Sequence, residues 1–154
     1  PNVVEFQRIA SALDEKVELN AKRDLQEDIE LTVRISNKLG GVTVVRKGAV
    51  DIIAQKEQYC VSDIPGLLRR VGGQGDSLAG ALAIFLTWAS NYQAGVWTTP
   101  EMDLEDTTVL ACFAASLVVR TASKMAFEVH GRGMQTLNVH QQLGSAYNEL
   151  FESK

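Results

Sequence analysis

The chain has 154 residues, 45% hydrophobic and 22% charged, a balance that suits a soluble globular piece of one domain at most. A formal net charge of -4 excludes nucleic acid as the main partner, because there is no basic surplus to neutralise a phosphate backbone. The longest apolar stretches, Leu78 to Ala89 and Val109 to Val119, are too short to span a bilayer, and no signal peptide opens the chain, so no membrane partner is expected. Cys60 and Cys112 lie far apart in apolar runs and match no metal spacing, which fits reduced core thiols in an intracellular protein.

In chain order, Asn2 can cap a helix in which Val3, Phe6, Ala10 and Leu13 form an apolar stripe, with Glu5 completing a capping box. Residues 14–28 are polar and charged with little period and are expected to form a solvated loop. Residues 30–36 alternate like a strand but also carry Leu31, Ile35 and Leu39 at helical spacing, and Gly40-Gly41 as a C-cap favours the helix. Val42 to Val45 is a short apolar run of the kind found in a buried parallel strand. Lys47 to Asp51 turns the chain into Ile52-Ile53-Ala54, which pairs with Tyr59-Cys60-Val61 as a hairpin. A helix feeding a buried strand implies an α/β layered fold.

Glycine then becomes dense: Gly66, Gly72, Gly73, Gly75 and Gly80 fall within fifteen positions, where bare backbone must be needed because glycine otherwise costs entropy. The following run, Ser77 to Leu86, is expected to be a buried helix whose first turn is made by the glycine loop. A nest of outward N–H groups backed by a helix N-terminus, with roughly half a positive charge, makes an anion hole. Asp76 in that first turn fits either an N-cap or a general base beside a phosphate. Arg69 and Arg70 just ahead of the loop can form a solvated face or fork onto phosphate oxygens. Residues 90–106 are expected as a surface loop, with Trp88 and Trp97 in core and loop packing. Residues 107–127 form a long apolar helix ended by His130-Gly131-Arg132-Gly133, and His130 there is expected to serve the helix dipole. The last helix, residues 137–151, turns Leu143, Ala146, Tyr147 and Leu150 inward and leaves His140 in solvent. There is no Walker A, H-E-x-x-H, C-x-x-C or Rossmann glycine motif, and there are no internal repeats.

Gly72 to Gly80 resembles the G-x-G-D-x-x-x-G signature of the ribokinase-like superfamily. The longer run Arg69-Arg70-Val71-Gly72-Gly73-Gln74-Gly75-Asp76 resembles the eukaryotic ATP-dependent NAD(P)H-hydrate dehydratases, and Pro1-Asn2-Val3-Val4-Glu5-Phe6 is similar to their T-P-N-x-x-E-F segment. That segment lies mid-domain in the family, so the resemblance, which covers the chain from end to end, implies the C-terminal half of a ribokinase-like domain: layered α/β/α with a mostly parallel sheet.

The resemblance also implies roles. Asn2, Val3, Val4, Glu5, Phe6, Gln7 and Arg8 become contacts to the hydrated nicotinamide nucleotide, besides the capping box that their residue types form anyway. Lys47, Gly48, Ala49, Val50 and Asp51 become ATP contacts, as the position beyond a strand's carboxyl end also suggests. So do Gly66, Leu67, Leu68, Arg69, Arg70, Val71, Gly72, Gly73, Gln74 and Gly75; Val71 stands where several relatives have cysteine. Asp76 becomes the base and a substrate contact. No protein metal ligand is implied, but magnesium is expected with ATP, because phosphoryl transfer needs its charge neutralised.

The implied activity is the ATP-dependent dehydration of hydrated NADH and NADPH. A small-molecule kinase of the same superfamily and a nucleotide-binding fragment without catalysis are the alternatives. The implied location is cytoplasmic, with a mitochondrial form also open. One strand and a hairpin cannot cover two long apolar helices, so the piece is expected either to dock against a missing N-terminal half or to self-associate.

Overall fold

The structure is a computed structural model and describes residues 1–15, 24–65, 70–97 and 107–152. Helix α1 (Val3–Ala12) starts as expected. Asn2 Oδ1 accepts the N–H groups of Val4 and Glu5, both at 3.0 Å, and Glu5 Oε2 accepts the Asn2 N–H at 2.6 Å. That returned bond holds the Glu5 carboxyl below its ordinary value, so the cap is complete above the carboxylate range and is lost as acid protonates Glu5.

Helix α2 (Leu25–Lys38) begins earlier than the expected loop over 14–28 allows. Asp24 and Glu27 form a second capping box, with Glu27 N–H to Asp24 Oδ1 at 2.8 Å and Asp24 N–H to Glu27 Oε2 at 3.2 Å. The crowd of charges there is a solvated helix face over Leu25 to Asp28; positions 16–23 lie outside the described residues. The helix ends in a Schellman motif: Gly40 and Gly41 have φ of 83° and 81°, Gly41 N–H reaches Ser36 O at 2.8 Å, and Gly40 N–H reaches Asn37 O at 3.0 Å.

Strands β1 (Val44–Arg46), β2 (Asp51–Gln55) and β3 (Gln58–Ser62) form a sheet in the order β1-β2-β3. The hairpin is in the expected register, Ile52 opposite Val61, Ile53 opposite Cys60 and Ala54 opposite Tyr59. The run 42–45, expected as a parallel strand, is corrected: it enters the sheet at Val44 and pairs with β2 antiparallel. Only Lys47 to Val50 separates the two strands, far too little chain for the crossover that a parallel pair requires. A mostly parallel sheet is therefore not what the described strands form.

Helices cover both faces of β2, which explains its unbroken apolar run Ile52-Ile53-Ala54. Val44 packs with Phe6, Ala10, Leu31 and Ile35 from α1 and α2. Ile53 on the opposite face meets Val109 and Cys112 of helix α4 (Thr107–His130). Arg46, 8% exposed, crosses to the α2 side, where its guanidinium pairs with Asp28 at 2.9 Å and lies 4.6 Å over the Phe6 ring.

Helix α3 (Gln74–Gln93) packs on α4 through Leu78, and helix α5 (Thr136–Phe151) closes a second core on α4 through Val139 and Ala146, joined by Met134. Small residues at Ala115, Ala122 and Ala126, all fully buried, let these helices approach closely. With its 3₁₀ turn at Gly131–Gly133, α4 extends to 27 residues, long and apolar enough by length and composition to cross a membrane, although most of it is buried in the core. The stretch Val109 to Val119 understated it.

The α3 helix is not buried as expected, since only Ser77 and Leu78 are enclosed while Ile84 is 54% and Trp88 41% exposed. Among the described residues, α4 and α5 cover one side of it and the other is open. Trp88, placed in the core by sequence, is exposed at the α5 edge, edge to face with Phe85 at 5.2 Å and with Tyr147 of α5 at 6.0 Å. The expected loop over 90–106 is helical as far as Gln93, Trp97 is 45% exposed, and positions 98–106 lie outside the described residues.

Burial pushes the Cys112 thiol up to about 11. At pH 8 about one Cys112 in a thousand is then thiolate, the form that reacts. Iodoacetamide should therefore leave Cys112 unlabelled in the native protein and label it readily in urea, as read by peptide mass spectrometry. Equal rates in both states would contradict the packing of α4 on the sheet.

Candidate active site

The connection between β1 and β2 brings Lys47, Gly48, Ala49 and Asp51 to one side of a cavity of about 600 Å³, and the glycine loop brings Arg70, Val71, Gln74 and Gly75 to the other. Asn2 and Pro65 close the rim, and Leu78, Ser116, Val119, Arg120 and Ser123 form the floor. The volume lies within the roughly 300–1,000 Å³ usual for small-ligand sites. Lys47 N–H donates to Pro1 O at 2.8 Å, which ties the Asn2 segment to the lysine.

Of the described glycines in the dense cluster, Gly73 is the one whose backbone requires glycine. Gly73 caps α3 with φ of 88°, in the left-handed region, and a Cβ there would lie 3.2 Å from Thr136 Cγ2. Among the described residues no side chain caps α3, which leaves its first N–H groups to a ligand. At Gly75 a Cβ would stand 3.5 Å from the Lys47 ammonium, an ordinary contact, so the cation lies beside the positive end of the helix. At Gly48 a Cβ would come within 2.9 Å of Val50 O, closer than real side chains are found.

Asp51 lines this cavity but its charge is spent within the protein. Its Oδ1 accepts the Gly48 N–H and an Arg120 N–H, both at 3.0 Å, and its Oδ2 accepts the Ser116 hydroxyl at 2.8 Å. What faces the cavity is therefore Lys47, Arg70 and the α3 N-terminus, an arrangement that attracts an anion.

Asp76 is corrected in one respect: Gly73 is the N-cap, and Asp76 sits exposed at the third helical position, where its carboxylate has no partner among the described residues. It stands next to the cavity-lining Gly75 without lining the cavity itself. Of the Asn2 to Arg8 segment only Asn2 lines the cavity; Val3, Val4, Glu5 and Arg8 are exposed and Phe6 belongs to the core. Val50, Gly72 and Gly73 support the loops without lining the cavity, and Gly66, Leu67, Leu68 and Arg69 lie outside the described residues. His140, expected in solvent, is exposed but places Nε2 2.7 Å from Ser77 Oγ, and Thr136 Oγ1 donates to Gly72 O, so α5 is latched to the glycine loop.

Sequence reasoning missed Ser116, Arg120 and Ser123. The signal was there: an arginine in the middle of an apolar helix has to be paired where it is buried.

Residues 1–144 match the carbohydrate-kinase family model described as NAD(P)H-hydrate dehydratase. The chain is similar to the ATP-dependent (S)-NAD(P)H-hydrate dehydratase of Candida albicans, 42% identical over 98% of this chain and 45% of that protein. It is 39% identical to the protein of that name from Ciona intestinalis, over 99% of this chain and 39% of the relative, and 36% identical to that from Arabidopsis thaliana, over 97% and 39%. The chain thus spans less than half the length of these curated relatives. With its glycine loop, its Lys47 turn and a match over nearly its whole length, this chain belongs to the NAD(P)H-hydrate dehydratase family.

Proposed function

We propose that this chain carries the ATP site and the proton-abstracting residue of an ATP-dependent (S)-NAD(P)H-hydrate dehydratase. One observation carries the reading: Lys47, Arg70 and the N-terminus of α3 converge on one cavity whose only lining carboxylate among the described residues, Asp51, is already neutralised by Arg120. Polyphosphate suits such a site, because the open N–H groups and the two cations meet its charge without reorganising.

In this reading Asp76 takes the proton of the ring hydroxyl of hydrated NADH or NADPH, and the resulting oxygen forms a bond to the γ-phosphorus of ATP as the bond to the ADP oxygen breaks. Phosphorylation turns hydroxide, a poor leaving group, into phosphate, a good one. Cleavage of the carbon–oxygen bond with loss of a proton from the adjacent carbon then restores the ring double bond. Lys47 and Arg70 hold the phosphates, and Asn2 contributes to the nucleotide side of the rim. Magnesium is expected with ATP, held by its phosphates, and it would neutralise the charge on the transferred group.

The test is to incubate the protein with ATP and hydrated NADH and follow the return of dihydronicotinamide absorbance. One ADP and one phosphate per NADH are expected. A stable phosphorylated hydrate would make the protein a kinase, and intact ATP after long incubation would leave only a binding role.

We also place the three strands at the margin of a larger, mostly parallel sheet completed by a further segment or by a second copy. Ile84, Val96 and Trp97 are 54%, 60% and 45% exposed, an apolar surface that native proteins cover. Purified alone, the 154-residue chain should scatter light as a species larger than 16.8 kDa, and a stable monomer would rule out this arrangement.

A further inference from the structure

Two lips of the cavity that are distant in sequence hang from one helix. Ser116, Arg120 and Ser123 fall four and three residues apart on α4 and so share a face of an otherwise apolar helix. Ser116 donates to Asp51 Oδ2 at 2.8 Å. Ser123 Oγ accepts from Gln74 Nε2 at 3.3 Å, and Gln74 Oε1 in turn accepts the Val71 N–H at 3.3 Å, which anchors the glycine loop.

Arg120 does most of the fastening. Its Nε donates to Ile64 O at 3.0 Å, its two terminal nitrogens reach Asp51 Oδ1 at 3.0 Å, Gly48 O at 3.5 Å and Ile64 O at 2.7 Å, and one also reaches Ala49 O. A guanidinium has five N–H donors, and these five bonds use them all. Arg120 lines the cavity yet has no donor left for a ligand. The bonds join the Lys47 turn to the end of the segment that follows β3, and the planar fork fixes both at once in a way that a lysine's point charge does not.

We propose that Arg120 is the positioning residue of the nucleotide cavity, setting where the Lys47 turn stands relative to the α3 N-terminus without touching the nucleotide. This rests on the nucleotide reading above. Misplacing such a turn by about 1 Å costs up to about a hundredfold.

Arg120→Lys keeps the charge beside Asp51 and removes the fork. In the full chain, hydrogen exchange at the Gly48 amide, measured without nucleotide, should rise at least about tenfold, and calorimetric ATP affinity should fall by about tenfold or more. The rate at saturating ATP should change far less than the KM for ATP. Ser116→Ala, which keeps the Arg120–Asp51 pair, should shift both readouts in the same direction by less, and it serves if Arg120→Lys does not fold. Unchanged Gly48 exchange overturns the proposal whether or not ATP binds, and raised exchange with unchanged ATP affinity overturns it too. Failure of the unaltered chain to bind ATP sinks the nucleotide reading instead, while the exchange measurement still decides what Arg120 holds.

Discussion

Asp76→Asn should lower turnover of hydrated NADH by about 10²–10⁴-fold, the usual effect of removing a general base. The fold should not suffer. Asp76 is exposed, takes no part in capping α3 and is unpaired among the described residues, so only its charge at a helix N-terminus is lost, about 0.3–1 kcal/mol. ATP affinity should hold or rise slightly, since a carboxylate beside an anion site repels phosphate. Steady-state kinetics, a melting curve and an ATP titration on the same preparation separate these outcomes. Wild-type turnover in the mutant would remove Asp76 from the chemistry, and because Gly73 is the cap, it would not leave Asp76 as a cap instead.

Gly73→Val should weaken ATP binding far more than Gly144→Val. A β-branched side chain at φ of 88° is strained by several kcal/mol at most and about 1–2 kcal/mol at least, and at Gly73 it would also press on Thr136 Cγ2 at 3.2 Å. Relief requires the loop to move, and the open N–H groups of α3 move with it. Gly144 lies within α5 with nothing within 4 Å of an added Cβ and no positive φ, so a Cβ there is accommodated. Calorimetric titrations of the two folded mutants decide the matter, and equal affinities would remove the nest from the site.

What the sequence determined by itself was local. Caps, glycines and periodicity act over a few residues, so the Asn2-Glu5 box, the Gly40-Gly41 stop, the Ile52 to Val61 hairpin and the three long helices could all be read from spacing. The glycine loop was legible for the same reason at one position, Gly73, whose positive φ needs glycine, while Gly72, Gly75 and Gly80 show no such need. The Asp24-Glu27 box escaped notice because its capping signature sits among charges that serve equally well in a loop.

Tertiary structure alone decided the rest. Which strand Val44 to Arg46 pairs with depends on what lies beside it in space, although the short Lys47 to Val50 connection by itself forbids a parallel pairing with β2. Burial of α3 depends on how many neighbours reach it, so its apolar sequence could not tell an enclosed helix from one with an open side. The floor of the cavity was invisible for the same reason. Ser116 and Asp51 are 65 positions apart, and Arg120 and Ile64 are 56 apart; no spacing rule links them, and only the packing of α4 against the sheet brings a half-buried arginine to the carboxylate and carbonyls that satisfy it.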